Sequence, residues 1–363
     1  MRTLLIHRLG RVEYRDGLQL MQLAGDAVRA GLPAATDHLF LLEHPPVLTL
    51  GRGADRGNVM AAPAWLEAQG FELHETDRGG DVTYHGPGQL VAYPVLDLAG
   101  RPDVKRYVAA LEEAMIRTCA DDGVVAGRHE EHRGAWVGPR KVGAVGVHLS
   151  RWVTSHGLAL NVAPDLDHFH AIVPCGIADP RLGVTSLARE LEARGRTAPP
   201  MAEVEARLAA HLAEALGREA RPAPPPLQTI TVVALAADGR VLMLKRAPER
   251  GGFWQPVTGR IEPGETPLEA ARRELTEETG ADVPVEPLGY RHGFGIDPDL
   301  MRSPTREVRV AVEEGFLARL PPGFEPRLSD EHVEAAFLPA AEAAATPRFP
   351  GPRRAIQLAC RRR

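Results

Sequence analysis

RGGDVTYHGPGQLVAYPVLDL, residues 78–98, joins a glycine-rich turn, a histidine beside a tyrosine and a hydrophobic run. Gly79, Gly80 and Gly86 permit positive φ and close approach of backbone to a ligand, and Pro87-Gly88 forces a turn before the apolar run begins at Leu90. Packing alone seldom asks for that order, so the turn reads as built around something small. Beyond it, Lys141 stands on a glycine-rich hairpin, HGLALNV at 156–162 adds a second histidine, and VPCG at 173–176 adds a thiol.

The rest of the chain bounds what such a turn can serve. A length of 363 residues suits two domains with separate cores. A net charge of −5 implies no long-range basic field, which argues against a nucleic-acid partner. No apolar run approaches the ~18 residues of a membrane span, and the N-terminal apolar run is too short for a signal peptide, so the expectation is a cytoplasmic protein with no membrane partner. Three cysteines, Cys119, Cys175 and Cys360, lack metal-type spacing and do not suit a disulfide framework.

In chain order, residues 14–30 carry Leu18, Met21 and Val28 at helical spacing before the stop Gly31-Leu32-Pro33, which predicts a surface helix. Strands at 40–42 and 47–50 flank the rigid His44-Pro45-Pro46, and Gly51-Arg52-Gly53 opens a loop. Val104, Val108, Leu111, Met115 and Cys119 recur as the buried stripe of a helix ending before Gly123, with Cys119 as core filler. Residues 135–137 and 141–147, around Gly138-Pro139, read as a hairpin with Lys141 at the start of its second strand. A short helix follows 184–187, and another over 201–216 has Val204, Leu208 and Leu212 on one face and Gly217 as its stop. The first domain is therefore expected to span 1–217. Residues 218–226, REARPAPPP, suit an extended linker, and a second domain is expected over 227–363. That domain opens with strands at 229–234 and 241–244 around Asp238-Gly239, continues with strands at 308–312 and 315–320, and ends in a helix with a solvated tail of three arginines.

Cys175, between Pro174 and Gly176, sits in a turn where a thiol can be exposed and backbone N–H groups can converge. Taken singly, a cysteine in such a chain is most often a small buried hydrophobe, a lysine is most often exposed, and His85 and His156 are ordinary structural histidines. Their order along the chain is more telling. RGGDVTYHGPGQ, RKVGAVGV, SHGLALNV and VPCG followed by VTSL, spread over about residues 35–190, resemble the octanoyltransferase family of lipoate biosynthesis. The resemblance implies a mixed α/β (α+β) fold shared with lipoate and biotin ligases, and no cofactor. It implies that Cys175 takes an octanoyl or lipoyl group from acyl carrier protein as a thioester. The acceptor would be a lysine on lipoyl domains of 2-oxoacid dehydrogenases or the glycine cleavage H protein. Lys141 would lower the thiol pKa. Arg78, Gly79, Gly80, Asp81, Val82, Thr83, Tyr84 and His85 would form the acyl-substrate segments together with Ala144, Val145, Gly146, Gly157, Leu158 and Ala159. The basic, histidine-containing run 128–133 departs from the pattern and reads as bearing on partner docking. The nearest competitor is an ATP-dependent lipoate-protein ligase, which has no need of Cys175.

The second domain carries its own motif. Residues 259–280 fit the Nudix box through Gly259, Glu265, Arg273, Glu274, Leu275, Glu277, Glu278 and Gly280, with Ala281 where a bulky aliphatic is usual. Thr266-Pro267-Leu268-Glu269 is a capping box that starts a helix, on which Glu274, Glu277 and Glu278 fall within an arc of about 100°. Like charges so spaced cost roughly 0.2–0.5 kcal/mol per pair, and a divalent cation removes the cost. The resemblance implies an α/β/α sandwich holding Mg²⁺ or Mn²⁺ on those glutamates. Its substrate would be nucleoside-diphosphate-linked or a triphosphate, and FWQPVTG at 253–259 is similar to the subgroup acting on dihydroneopterin triphosphate or nucleoside triphosphates. The alternative for this half is a noncatalytic module that senses a nucleotide.

Overall fold

The computed structural model describes residues 2–32, 36–173, 179, 181–296, 308–348 and 350–362. The chain divides into two compact units, Met1–Pro224 with Gly295–Val308, and Pro225–Phe294 with Arg309–Arg363.

The first unit begins with β1 (Thr3–Arg11), helix α1 (Tyr14–Ala30), β2 (Thr36–Glu43) and β3 (Val47–Leu50). Next come α2 (Pro63–Ala68), β4 (Glu72–Glu75), β5 (Val82–His85), β6 (Gln89–Val95) and α3 (Val104–Asp121). The hairpin strands β7 (Ala135–Val137) and β8 (Arg140–Ser150) lead to β9 (Val153–Asn161) and β10 (Gly183–Val184). Helices α4 (Leu187–Glu192) and α5 (Met201–Leu216) precede β11 (Glu219–Pro222). The main sheet runs in the order β10-β8-β9-β6-β2-β1-β11, with β7 on β8, and β4-β3-β5 form a small second sheet. Its core joins both sheet neighbours and helices: Leu39, Leu41, Leu90 and Leu160 pack with Leu111 and Met115 of α3 and with Val204, Leu208 and Leu212 of α5. Gly217 ends α5 at φ 64, as its position predicts.

Three sequence expectations change here. The helix α1 is more deeply seated than expected: Tyr14, Gly17, Leu20, Met21, Ala24 and Val28 are all buried, while Arg15, Gln22 and Asp26 stay exposed. Small residues carried that stripe, so apolar periodicity understated it. On α3, Leu111, Met115 and Cys119 are core, but Val104 is 39% exposed and borders a cavity with Val108. The 218–226 segment is not all linker. Glu219–Pro222 pairs parallel with β1, and the Arg218 Nε donates to the fully buried Asp37 at 2.7 Å. The stop at Pro33 lies outside the described residues, although Gly31 caps α1 at φ 68.

The second unit contains β12 (Leu227–Leu235), β13 (Val241–Arg246), β14 (Trp254–Gln255), β15 (Val257–Arg260) and α6 (Pro267–Thr279). It continues with β16 (Val285–Ile296), whose last two residues are counted with the first unit, then β17 (Arg309–Arg319), β18 (His332–Leu338), α7 (Ala340–Ala345) and α8 (Pro350–Arg361). Alternate residues of β12 face opposite layers, as the period of a strand requires. Ile230, Val232 and Ala234 pack with Leu275 of α6, while Val233 and Leu235 pack with Ala355, Ile356 and Ala359 of α8. This is the expected α/β/α sandwich. The two strands expected over 308–320 are one, β17, aligned in parallel with β12 along its whole length. The C-terminal arginines are not simply solvated, since the Arg362 guanidinium donates to the carbonyls of Pro287 and Leu288.

Candidate functional site

The RGGD turn is held from below by the loop after β3. Gly51 N, Arg52 N and Gly53 N donate to the carbonyls of Asp81, Arg78 and Gly80 at 3.4, 3.0 and 3.2 Å. A Cβ on Gly51 would stand 2.3 Å from the Gly80 oxygen, so no other residue fits. Arg78 is buried and its guanidinium donates to the Thr49 carbonyl at 2.6 Å and the Thr49 hydroxyl at 2.9 Å. Asp81 accepts from the backbone of Val82 and Asp55 and from the Asn58 amide. Arg78 and Asp81 thus build the turn that frames the site.

Above the turn lies a cavity of about 470 Å³, within the usual range of small-molecule sites, about 300–1,000 Å³. Every residue that the resemblance assigns to acyl-substrate binding borders it except Tyr84, and Lys141 borders it too. The hairpin register pairs Ala144 with Ala159 and Gly146 with Gly157, which leaves that wall without bulk. Tyr84 faces the other way: strand alternation sends it beside Phe71 and Phe169, with its hydroxyl 2.8 Å from His168 Nδ1. Tyr14, Tyr93, Val104 and Lys105 complete the cavity, joined by Glu131, His132 and Arg133 from the run that had been read as a docking segment. That run was visible as a departure from the family pattern, but its place in the cavity depends on the long loop after α3.

Lys141 is 7% exposed, with its ammonium 4.9 Å from the centre of the Trp136 ring, its cross-strand partner. It also borders a second cavity of about 440 Å³, bounded by Phe169, Ile172, Val184 and Arg189. A buried ammonium at the junction of two cavities can influence reacting groups in either. Cys175 lies outside the described residues, as do Pro174 and Gly176. The chain leading to it is secured, since Val173 N donates to the Asn58 carbonyl at 2.7 Å and Ile172 pairs with Val59.

Two buried histidines on the cavity differ in charge environment. Burial, then the neighbouring His44, push His85 down to about 3, so it is neutral. His156 is also lowered by burial, although its Nε2 donates to Asp77 at 2.7 Å, which works against that shift. For Asp77, burial acts upward, but the His156 contact and the charges of His156 and His148 leave it below its ordinary value.

In the second unit, α6 starts at the Thr266–Glu269 capping box and ends at Gly280 with φ 73, as read from sequence. Gly259 lies close against Glu274: a Cβ there would sit 1.9 Å from the carboxyl carbon, so that side chain would have to move aside. Glu278 is buried with its Oε2 unpartnered among the described residues, and burial followed by the charges of Glu274 and Glu331 raises it to about 9. Glu274 is raised as well, chiefly by burial. Such acids ask for a cation, and a divalent ion fits the oxygen donor set. Glu274, Glu277 and Glu278 do not form a ready cluster, however: among the described residues no three acidic, histidine or cysteine side chains are arranged to hold a metal. Arg273 accounts for this. Its guanidinium donates to Glu265 at 2.9 Å, Glu274 at 2.9 Å and Glu277 at 3.2 Å, drawing two of the three aside.

The fold and the two sites define a lipoate-type acyltransferase catalytic domain joined to a Nudix domain. The lipoyl protein ligase A/B catalytic domain matches residues 13–213, and the NUDIX domain matches residues 225–359. An octanoyltransferase of Myxococcus xanthus is 49% identical over 342 residues, 92% of this chain and 92% of that protein. One of Solibacter usitatus is 52% identical over 189 residues, 52% of this chain and 84% of its own length. The chain belongs to the octanoyltransferase family. Among solved structures, E. coli dihydroneopterin triphosphate pyrophosphohydrolase is 33% identical with a TM-score of 0.34, covering 38% of this chain and 96% of that one. A lipoate-protein ligase A bound with ATP is 18% identical with a TM-score of 0.48, covering 61% and 88%. Among the described residues, no helix is long and apolar enough to cross a membrane.

Proposed function

We propose that the first unit, a cytoplasmic enzyme domain, moves an octanoyl group from acyl carrier protein to a lysine of a lipoyl domain through a thioester on Cys175. Lys141 favours the thiolate by its positive charge, which raises the nucleophilic fraction near neutral pH. The acyl chain occupies the cavity walled by residues 144–146 and 157–159. The observation that carries this reading is the buried Lys141 ammonium, bordering two cavities in a chain whose 49%-identical relative is an octanoyltransferase.

The second unit is a separate domain that hydrolyses a nucleoside-diphosphate-linked or pterin or nucleoside triphosphate substrate. Glu274, Glu277 and Glu278 would hold Mg²⁺ or Mn²⁺, which supplies Lewis acidity toward phosphate oxygens. For the chain to receive the ion, Arg273 must release Glu274 and Glu277 while keeping Glu265. The domain boundary falls after β11, within 223–226. The transferase and ligase readings separate cleanly. With octanoyl-acyl carrier protein and an apo lipoyl domain, product forms without ATP. Product only from free octanoate and ATP would make the chain a ligase.

A further inference from the structure

A run of hydrogen bonds behind the acyl cavity has a single permitted direction. The Thr185 carbonyl can only accept, so the Asn161 Nδ2 at 2.9 Å donates to it and the Asn161 Oδ1 must accept. The Gln89 Nε2 donates to that oxygen at 2.9 Å and also to the Tyr84 carbonyl at 3.3 Å, which orients the amide a second time. Gln89 therefore presents Oε1 to His85 Nδ1 at 2.7 Å, and Nδ1 must carry the proton. Gln89, Asn161 and His85 are all buried, so water does not compete for these positions. The neighbouring pair obeys the same logic. His44 Nδ1 donates to the Val12 carbonyl at 2.6 Å, so its Nε2 accepts from the Tyr93 hydroxyl at 2.8 Å. His85 and Tyr93 both border the cavity.

We propose that His85 is a fixed hydrogen-bond acceptor in the acyl cavity, its Nε2 lone pair aimed by Gln89 and Asn161, and that it orients the incoming lysine amine by accepting an N–H. This rests on the thioester reading of the transferase. In the second half-reaction the amine nitrogen bonds to the acyl carbon, the C–S bond breaks and its electron pair leaves on Cys175. The surplus proton on nitrogen passes to that thiolate. The acyl chain and the thioester carry no donor, whereas the amine does. His85 holds the amine and does not remove its proton: Tyr14 on α1, His44 before β3, Arg78 and His156 surround the ring, and none stabilises an imidazolium strongly. For the same reason His85 supplies no donor to an oxyanion.

Nitrogen-15 spectra of histidine-labelled protein without substrate test the tautomer apart from the reaction. A protonated Nδ1 and bare Nε2 at His85 are expected near neutral pH, and the opposite tautomer would overturn the proposal. Acylation and transfer are then followed separately by mass, starting transfer from the preformed acyl-enzyme. Failure of the parent protein to form an adduct would sink the thioester reading while leaving the tautomer result standing. His85→Phe should slow transfer to the amine about tenfold, the loss of one good hydrogen bond, and slow it several times more than it slows acylation. His85→Gln, which restores an acceptor oxygen, should recover part of it. Gln89→Glu places an anion behind the ring, raises the His85 pKa and turns Nε2 into a donor as pH falls. Transfer should therefore drop on acidification and recover as pH rises through the new pKa. Equal loss in both half-reactions, or faster transfer by Gln89→Glu at low pH, would contradict the assignment.

Discussion

Glu278 has a buried oxygen that no group among the described residues satisfies, and its neighbours Glu274 and Glu331 add repulsion. Neutralising it should therefore be harmless without metal and costly with it. Glu278→Gln should melt at or above the parent's temperature in EDTA at pH 8, yet lose the rise that millimolar Mg²⁺ gives the parent. A full Mg²⁺-dependent rise in the variant would remove Glu278 from the cation site. The residue scale also marks the limit of reading motifs as sites. The segment 78–85 was legible as a unit, but Tyr84 turns its ring away from the cavity because consecutive strand residues face opposite sides. Arg78 and Asp81 act on the turn through Thr49 and Asn58, partners fixed by tertiary approach and invisible in a linear string.

Residues flanking β1, β6 and β11 meet at one carboxylate on β2. Asp37 is fully buried and accepts from Arg2 Nε at 2.9 Å, Arg218 Nε at 2.7 Å and the Asp97 backbone at 3.1 Å. Removing one partner of such a buried group leaves charge without compensation, so Asp37→Ala should cost about 3–5 kcal/mol in urea unfolding of the transferase unit. A loss below about 1 kcal/mol would mean that β11 adds little to the sheet. Elements with strong local punctuation were readable: α5 by its apolar face and Gly217, α6 by its capping box, β7 and β8 by Gly138-Pro139. Those set by distant partners were not. β11 lies in a proline-rich segment and gains its strand state from pairing with β1. The β8–β9 turn uses Arg151 and Trp152 at φ 50 and 63, where asparagine and glycine would have announced it.

At the scale of the whole chain, two proposed chemistries share one polypeptide: acyl transfer in the unit that holds the buried Lys141, and phosphate chemistry in the unit that holds the carboxylate helix. The motifs told the two apart from sequence because one is a set of segments in a fixed order and the other is a single long box. The thiol itself carries the central claim, that the acyl group travels on Cys175. Intact-mass measurement of the full chain after brief mixing with octanoyl-acyl carrier protein tests it most directly. One octanoyl group should appear on the parent protein, resist dilution, vanish when an apo lipoyl domain is added, and be absent from Cys175→Ala. An adduct that persists in Cys175→Ala, or octanoylated lipoyl domain formed at the parent rate by that variant, would contradict the account.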